Sequence, residues 1–335
     1  MKLSVLDQSP VIHGHSAADA VAATIELAQA ADALGYTRYW CAEHHGLQGV
    51  CNPCPEVMIA RLGSVTRRIR VGSGGVMLPY YSPFKVFEQF MMLEAMFPGR
   101  IDLGLGRAPG GDSRTARVVA QGYYDPDRFA EQVADLVALN EDRLPEGHPA
   151  QGVLVQPAVA TRPQLWMLGS SDFGGRLAAQ LGLRFAFAQF ISAHGGETVA
   201  RWYRDQFRAG HEKAPYCAVA MFVICADTQP EADALAAAVD LRRVQMAYGV
   251  NAPIPSLEQA AQWQPDERAR AVIARERARS IIGTPEAVAE RMREVSELFA
   301  VDEAIVLTVA ASYRARLRSY ELLAEAFELG AGVAA

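Results

Sequence analysis

Long apolar runs are missing from this chain of 335 residues. No stretch reaches the roughly 18 residues that a membrane-spanning helix needs, so no membrane partner is expected. The first residues lack the layout of a secretory leader, and Lys2-Leu-Ser-Val-Leu6 reads as a strand instead. Cysteine is sparse and odd in number, five in all, which excludes a disulfide framework and makes a reducing cytoplasm the expected location. Excess positive charge is also absent. The net charge of −6 argues against a general nucleic-acid surface. Cys51-Asn-Pro-Cys54 lies close to His44 and His45, but no second Cys or His pair follows at a zinc-site spacing, so two unpaired loop thiols and no metal are expected. Nucleotide fingerprints are lacking too. In Gly104-Leu-Gly106-Arg-Ala-Pro-Gly110-Gly111, Pro109 stands where the third glycine of a dinucleotide loop should fall, and a P-loop's lysine and hydroxyl are absent.

What the chain does contain is an alternation of strand-like and helix-like segments. Apolar runs at 3–8, 37–43, 69–77, 101–106, 164–169, 184–190, 216–225 and 303–309 predict eight strands. Segments at 16–34, 55–66, 83–97, 127–141, 173–182, 196–209, 230–248 and 313–329 predict the helices between and after them, with one more at 284–299. In the first helix Ala20, Ala23, Leu27, Ala30 and Leu34 share a stripe. Ser16 is the expected cap, Asp19 sits in the first turn and Gly35 closes the helix. Ala218–Cys225 is apolar almost throughout, as suits a parallel strand buried on both faces. Eight such units predict a single (β/α)8 TIM barrel with insertions over 1–335; a doubly wound open sheet is the alternative. One insertion is expected at 142–163, marked by Pro145, Pro149, Pro157 and Pro163, with a short extended piece at 152–159. Another, at 249–280, opens with Asn251-Ala-Pro-Ile-Pro255 and turns polar and arginine-rich. It follows the seventh strand, so it is either a lid over a barrel mouth or a surface excursion.

Four groups of residues sit where a barrel would carry chemistry. Gly74 and Gly75 end the third strand; glycine pairs are usually turns, yet here they also permit a close backbone approach to a ligand. Arg107 follows the fourth strand and can hold a phosphate or form a surface ion pair. Ser170 and Ser171 stand between the fifth strand and its helix. Their hydroxyls and the free N–H groups of that helix suit an anion, while Ser171 or Asp172 could equally be an ordinary cap. Glu43-His44-His45 ends the second strand, and only one of the two histidines can face the mouth while the strand continues. That one is a candidate acid or base.

Glu43-His44-His45, the Gly74-Gly75 segment, Pro98-Gly-Arg100, Gly104-Leu-Gly-Arg107, Gly169-Ser-Ser171 and Ile282-Gly-Thr-Pro-Glu286 together resemble the bacterial luciferase-like, flavin-dependent monooxygenase family. The resemblance runs nearly end to end. It implies a luciferase-like (β/α)8 barrel, a homodimer, and reduced FMN delivered by a separate flavin reductase and used with O2 on a small organic substrate. It places Gly74 and Gly75 against the flavin ring, often through a non-proline cis peptide. Arg107, Ser170 and Ser171 would hold the flavin phosphate, and His44 would be the catalytic histidine. Gly106 stands where light-emitting subunits tend to carry cysteine, so oxygenation rather than light emission is implied. The same barrel also admits an F420-dependent hydride-transfer enzyme or a non-catalytic flavin-binding subunit.

Overall fold

The computed structural model describes residues 1–122, 124–192 and 194–330. Among the described residues there are nine parallel strands: β1 (Lys2–Asp7), β2 (Arg38–Cys41), β3 (Arg70–Met77), β4 (Ile101–Gly106), β5 (Gln164–Gly169), β6 (Arg184–Ala188), β7 (Cys217–Cys225), β8 (Ser280–Gly283) and β9 (Glu303–Leu307). Eight of them close a ring in the order β1-β2-β3-β4-β5-β6-β7-β9 and back to β1. Closure runs through Phe185↔Cys217, Ala218↔Glu303 and Lys2↔Glu303. This is the (β/α)8 barrel, and the open-sheet alternative is excluded. The unexpected ninth strand, β8, pairs with the far half of β7 (Phe222↔Ser280) and lies outside the ring.

Alternation along the strands builds two apolar layers. Leu3, Val5, Tyr39, Val71 and Leu103 point out into the shell beneath the helices. Leu6, Trp40, Trp166, Ala220 and Ile305 point into the barrel. With both faces covered, all nine residues of β7 are buried, which explains its unbroken apolar run. The helices that follow β1, β2 and β3 are α1 (Ala17–Leu34), α2 (Pro55–Val65) and α3 (Pro83–Met96). α1 starts as expected: the Ser16 hydroxyl accepts from the Asp19 N–H, and the Asp19 carboxylate accepts from the Ser16 N–H. It ends at Gly35 in a left-handed conformation, φ 89°.

An ion cluster plugs the barrel near the start of its strands. Arg38 donates from Nη1 to Asp102 Oδ2 at 2.6 Å and from Nε to Glu303 Oε1 at 2.6 Å. Trp40 Nε1 and Arg70 Nε also donate to Asp102, at 2.9 and 2.7 Å. Every charge here has an opposite partner and directed hydrogen bonds, which buried ions require. The cluster also fixes the indole of Trp40, whose other side faces the space above.

The connections differ from expectation in three places. Between β4 and α5 (Phe129–Asn140) the chain forms an additional short helix, α4 (Ser113–Val119). Residues 142–163 form an insertion, but the expected extended piece at 152–159 is irregular backbone with no strand pairing. Residues 249–280 fold into α9 (Leu257–Gln262), α10 (Glu267–Arg277) and β8, after α8 (Gln229–Ala247). Arg277 forks onto Asp240 of α8 at 2.7 Å, and the Ile254 N–H donates to Val11 at 2.8 Å. This arm is tied down at both ends, and none of its residues lines the barrel cavity described below. It packs along α8 and, through Asn251, against the loop after β2, the arrangement that a surface excursion predicts.

Candidate active site

A cavity of about 610 Å³ opens at the C-terminal ends of the barrel strands. That is the end at which barrel enzymes carry their sites, and the size suits a small-molecule ligand. Gly74, Gly75, Arg107, Ser170 and Ser171 all line it, so residues from β3, β4 and β5 that are far apart in sequence share one wall.

The Gly74–Gly75 peptide is cis. The pair forms a bulge: Ser73 pairs with Leu103 and Val76 with Leu105, three steps against two. A side chain at either position would collide with the wall behind it. A Cβ on Gly75 would lie 2.7 Å from the Gly104 carbonyl oxygen, and one on Gly74 would lie 2.7 Å from Leu6 Cδ1. Gly106 is different, since a Cβ there would meet nothing closer than the Met77 sulfur at 3.5 Å.

Arg107 leaves β4 and is exposed toward the cavity. Among the described residues its guanidinium makes no salt bridge; it lies over the Phe173 ring, 4.2 Å from the centroid. Its main chain is held separately, by the Tyr124 hydroxyl donating to the Arg107 carbonyl at 2.6 Å. Phe173 belongs to the first turn of α6 (Asp172–Leu181). Ser171 is the cap residue of that helix, yet its hydroxyl makes no capping hydrogen bond. The first-turn N–H groups therefore lack the usual side-chain acceptor, and two serine hydroxyls and an arginine stand beside them. The ordinary cap expected at Ser171 is not formed.

The second strand ends at Cys41, earlier than expected, and residues 42–45 run on without strand pairing. The two histidines still diverge. His45 Nε2 lies 2.7 Å from Glu43 Oε1 and its ring stands edge-on to Tyr80. Glu43 is buried and accepts twice more, from the Met77 N–H at 2.8 Å and the Tyr81 hydroxyl at 2.6 Å. Glu43 thereby ties the end of β2 to the turn that follows the glycine pair. His44 continues the inward parity of Trp40 and Ala42. Its Nδ1 is buried with no hydrogen-bond partner among the described residues. Burial pushes its pKa down to about 4, opposed by the nearby Glu43 carboxylate. The imidazole is neutral near pH 7. It does not itself line the cavity, whose wall on this side is Met77 and Pro109.

Sequence reasoning missed several cavity residues. Trp40 and Leu6 were readable from inward parity on β2 and β1. Tyr124, which comes from the β4–α5 connection, carried no strand or helix signal to announce it. All five cysteines are free thiols, Cys51 and Cys54 included.

Residues 1–302 match the family model of the luciferase-like monooxygenases. An N-acetyl-S-alkylcysteine monooxygenase of Bacillus subtilis (strain 168) is 36% identical over 331 residues, 97% of this chain and 98% of that protein. The crystal structure of apo-MsnO8 superposes with a TM-score of 0.90 at 36% identity, covering 98% of both chains. The FMN complex of the oxygenating constituent of 3,6-diketocamphane monooxygenase from Pseudomonas putida gives a TM-score of 0.71. It covers 100% of this chain and 99% of its own, but at 19% identity that likeness is one of fold. On the family match and the identity over nearly its full length, the chain belongs to the luciferase-like monooxygenase family.

Proposed function

We propose that this chain is a flavin-dependent monooxygenase that uses reduced FMN and O2 on a small organic substrate. The observation that carries the reading is the convergence on one cavity of an α6 N-terminus without a side-chain cap, two serine hydroxyls and an arginine, none of which has a hydrogen-bonding or carboxylate partner for its side chain among the described residues. A phosphate supplies the missing acceptor for all three. Arg107, Ser170 and Ser171 then hold the flavin phosphate. Gly74 and Gly75 let the ring approach the β3 backbone, and Trp40 supplies the apolar floor. Reduced flavin, when bound, supplies the chemistry of oxygen activation, while the protein orients it and keeps water out. His44 is proposed as the catalytic histidine. Its Nδ1, unpaired among the described residues, and its neutral state leave it able to accept and return a proton, from behind the cavity wall of Met77 and Pro109.

The whole chain acts as one barrel domain in this reading, in the cytoplasm, with reduced flavin delivered by a separate reductase. A homodimer is part of the proposal. In its support, α2 and α3 leave Val57, Met92 and Met96 exposed, at 67%, 52% and 47%, a face that a second copy can cover.

Two other readings use the same barrel: an F420-dependent hydride-transfer enzyme and a flavin-binding subunit without turnover. Anaerobic titration of the protein with reduced FMN and with reduced F420 separates the cofactors. Oxygen consumption with a flavin reductase present separates an enzyme from a carrier. Tight binding of F420 with none of FMN overturns the proposal.

A further inference from the structure

The polar groups of the cavity are confined to one part of its wall. The arc β3–β5 and its connections supply Arg107 and the serines, together with the glycine pair and apolar residues such as Met77, Leu168 and Phe173. The rest of the ring, β6, β7, β9 and β1, is apolar: it supplies Ala186, Ala188, Ala220, Ile305 and Leu6, with Phe190 just past β6, and Leu6 reaches round to the glycine pair. The alanines make room, since a larger inward residue at any of these strand positions would fill it. Among the described residues, the only charged side chains lining the cavity are Arg107 and Asp127, and both belong to the connection after β4. Three arginines that touch residues of the barrel interior or its rim are already engaged. Arg279 donates to the Ile191 carbonyl and to Glu276, and Arg243 lies over Phe222, 4.3 Å from the centroid, beside Glu276. Arg38 is locked between Asp102 and Glu303 in the plug below.

We infer that the organic substrate is a neutral, largely apolar molecule, held on the β6–β7–β9–β1 arc through its hydrocarbon part and not through a carboxylate. The inference rests on the proposed flavin site, because it counts Arg107 as taken by the phosphate. A carboxylate brought to the apolar arc would lose its water without gaining a cation, a strongly unfavourable transfer. A hydrocarbon chain gains from the same burial.

The test uses FMN-loaded full-length protein and three probes of equal chain length: 1-octanol, octanoate and octylammonium. Binding is followed by calorimetry. The alcohol is expected to bind at least about tenfold more tightly than octanoate at pH 7.5. Ala220→Leu, which fills the arc, and Ala188→Leu nearer the rim should each weaken alcohol binding at least about tenfold while FMN affinity stays within about twofold. The rim variant keeps the test decisive if the deeper one fails to fold. Octanoate or octylammonium binding as tightly as the alcohol overturns the inference, and so does alcohol binding untouched by both variants. Octanol binding that survives without any FMN binding would reject the flavin site while leaving the apolar arc in place, so the two failures are distinguishable.

Discussion

Replacing Arg107 by alanine tests the phosphate site most directly, because the structure separates what its side chain does from what its main chain does. Among the described residues the guanidinium has no carboxylate partner to release, so its hydrogen-bonding groups can turn to a ligand. A hydrogen bond to a charged group contributes about 1.5–3 kcal/mol, which is roughly ten- to a hundred-fold in affinity. Exposure of the side chain favours the lower end and makes the effect salt-dependent. The contact with Phe173 is lost as well, about 0.5–1 kcal/mol at an exposed site. That loss falls mainly on the stability of the unliganded protein. The Tyr124 bond reaches the Arg107 carbonyl, so the substitution leaves this tether of the β4–α5 connection intact. The assay is paired calorimetric titration with FMN and with riboflavin, which share the ring and differ in the phosphate. Arg107→Ala is expected to weaken FMN about ten- to a hundred-fold and riboflavin by less than about twofold. Arg107→Lys, which keeps the charge but loses the planar fork, should fall between. Equal losses for both ligands would remove Arg107 from any phosphate site and dissolve the convergence on which the functional proposal stands.

Gly75→Ala should destabilise the barrel by about 1–3 kcal/mol, since its Cβ would lie 2.7 Å from the Gly104 oxygen and neither strand can move alone; a denaturant midpoint equal to that of the parent refutes it. His44 has a folded-state pKa of about 4 against 6.5 unfolded, so between those values the unfolded chain binds more protons and stability falls as pH is lowered, by up to about 3 kcal/mol in all. His44→Gln should flatten that acid limb and slow turnover while FMN binding holds within about twofold; an unchanged limb, or greater damage from His45→Ala, would overturn the assignment of the two histidines.

The barrel was legible because its evidence is periodic. A parallel strand covered on both faces is apolar at nearly every position, and β3, β4 and β7 carry that pattern openly. The order of elements then limits the topologies to very few. The phosphate-binding candidates were legible for a related reason. Glycine and small hydroxyl residues directly after a strand are placed by the fold at its C-terminal end, and position alone brings Gly75, Arg107 and Ser171 to one wall. The divergence of His44 and His45 followed from strand parity, and it survived even though β2 stops at Cys41. The Glu43 carboxylate, by holding His45, Tyr81 and the Met77 N–H, fixes a direction that strand pairing no longer enforces.

What escaped the sequence depends on contacts between distant segments. β8 is four residues long and differs little in composition from the loop around it; it is a strand only because the far half of β7, beyond the reach of β6, leaves an edge for it to pair with. The arm before it looked like a lid because its middle is polar and arginine-rich. Of those arginines, Arg277 is spent on Asp240 of α8 and Arg275 and Arg279 on Glu276, and which acid an arginine meets cannot be read from either alone. The plug of Arg38, Asp102 and Glu303 joins three strands drawn from across the whole chain, and each residue looks anomalous in its own apolar run until the other two are beside it. The same logic separates Arg107 from the rest. Most arginines that border the barrel's interior are held by an acid contributed from elsewhere in the fold; Arg107, stacked on Phe173 beside the N-terminus of α6, has no such partner among the described residues, and that is what makes it the proposed phosphate ligand.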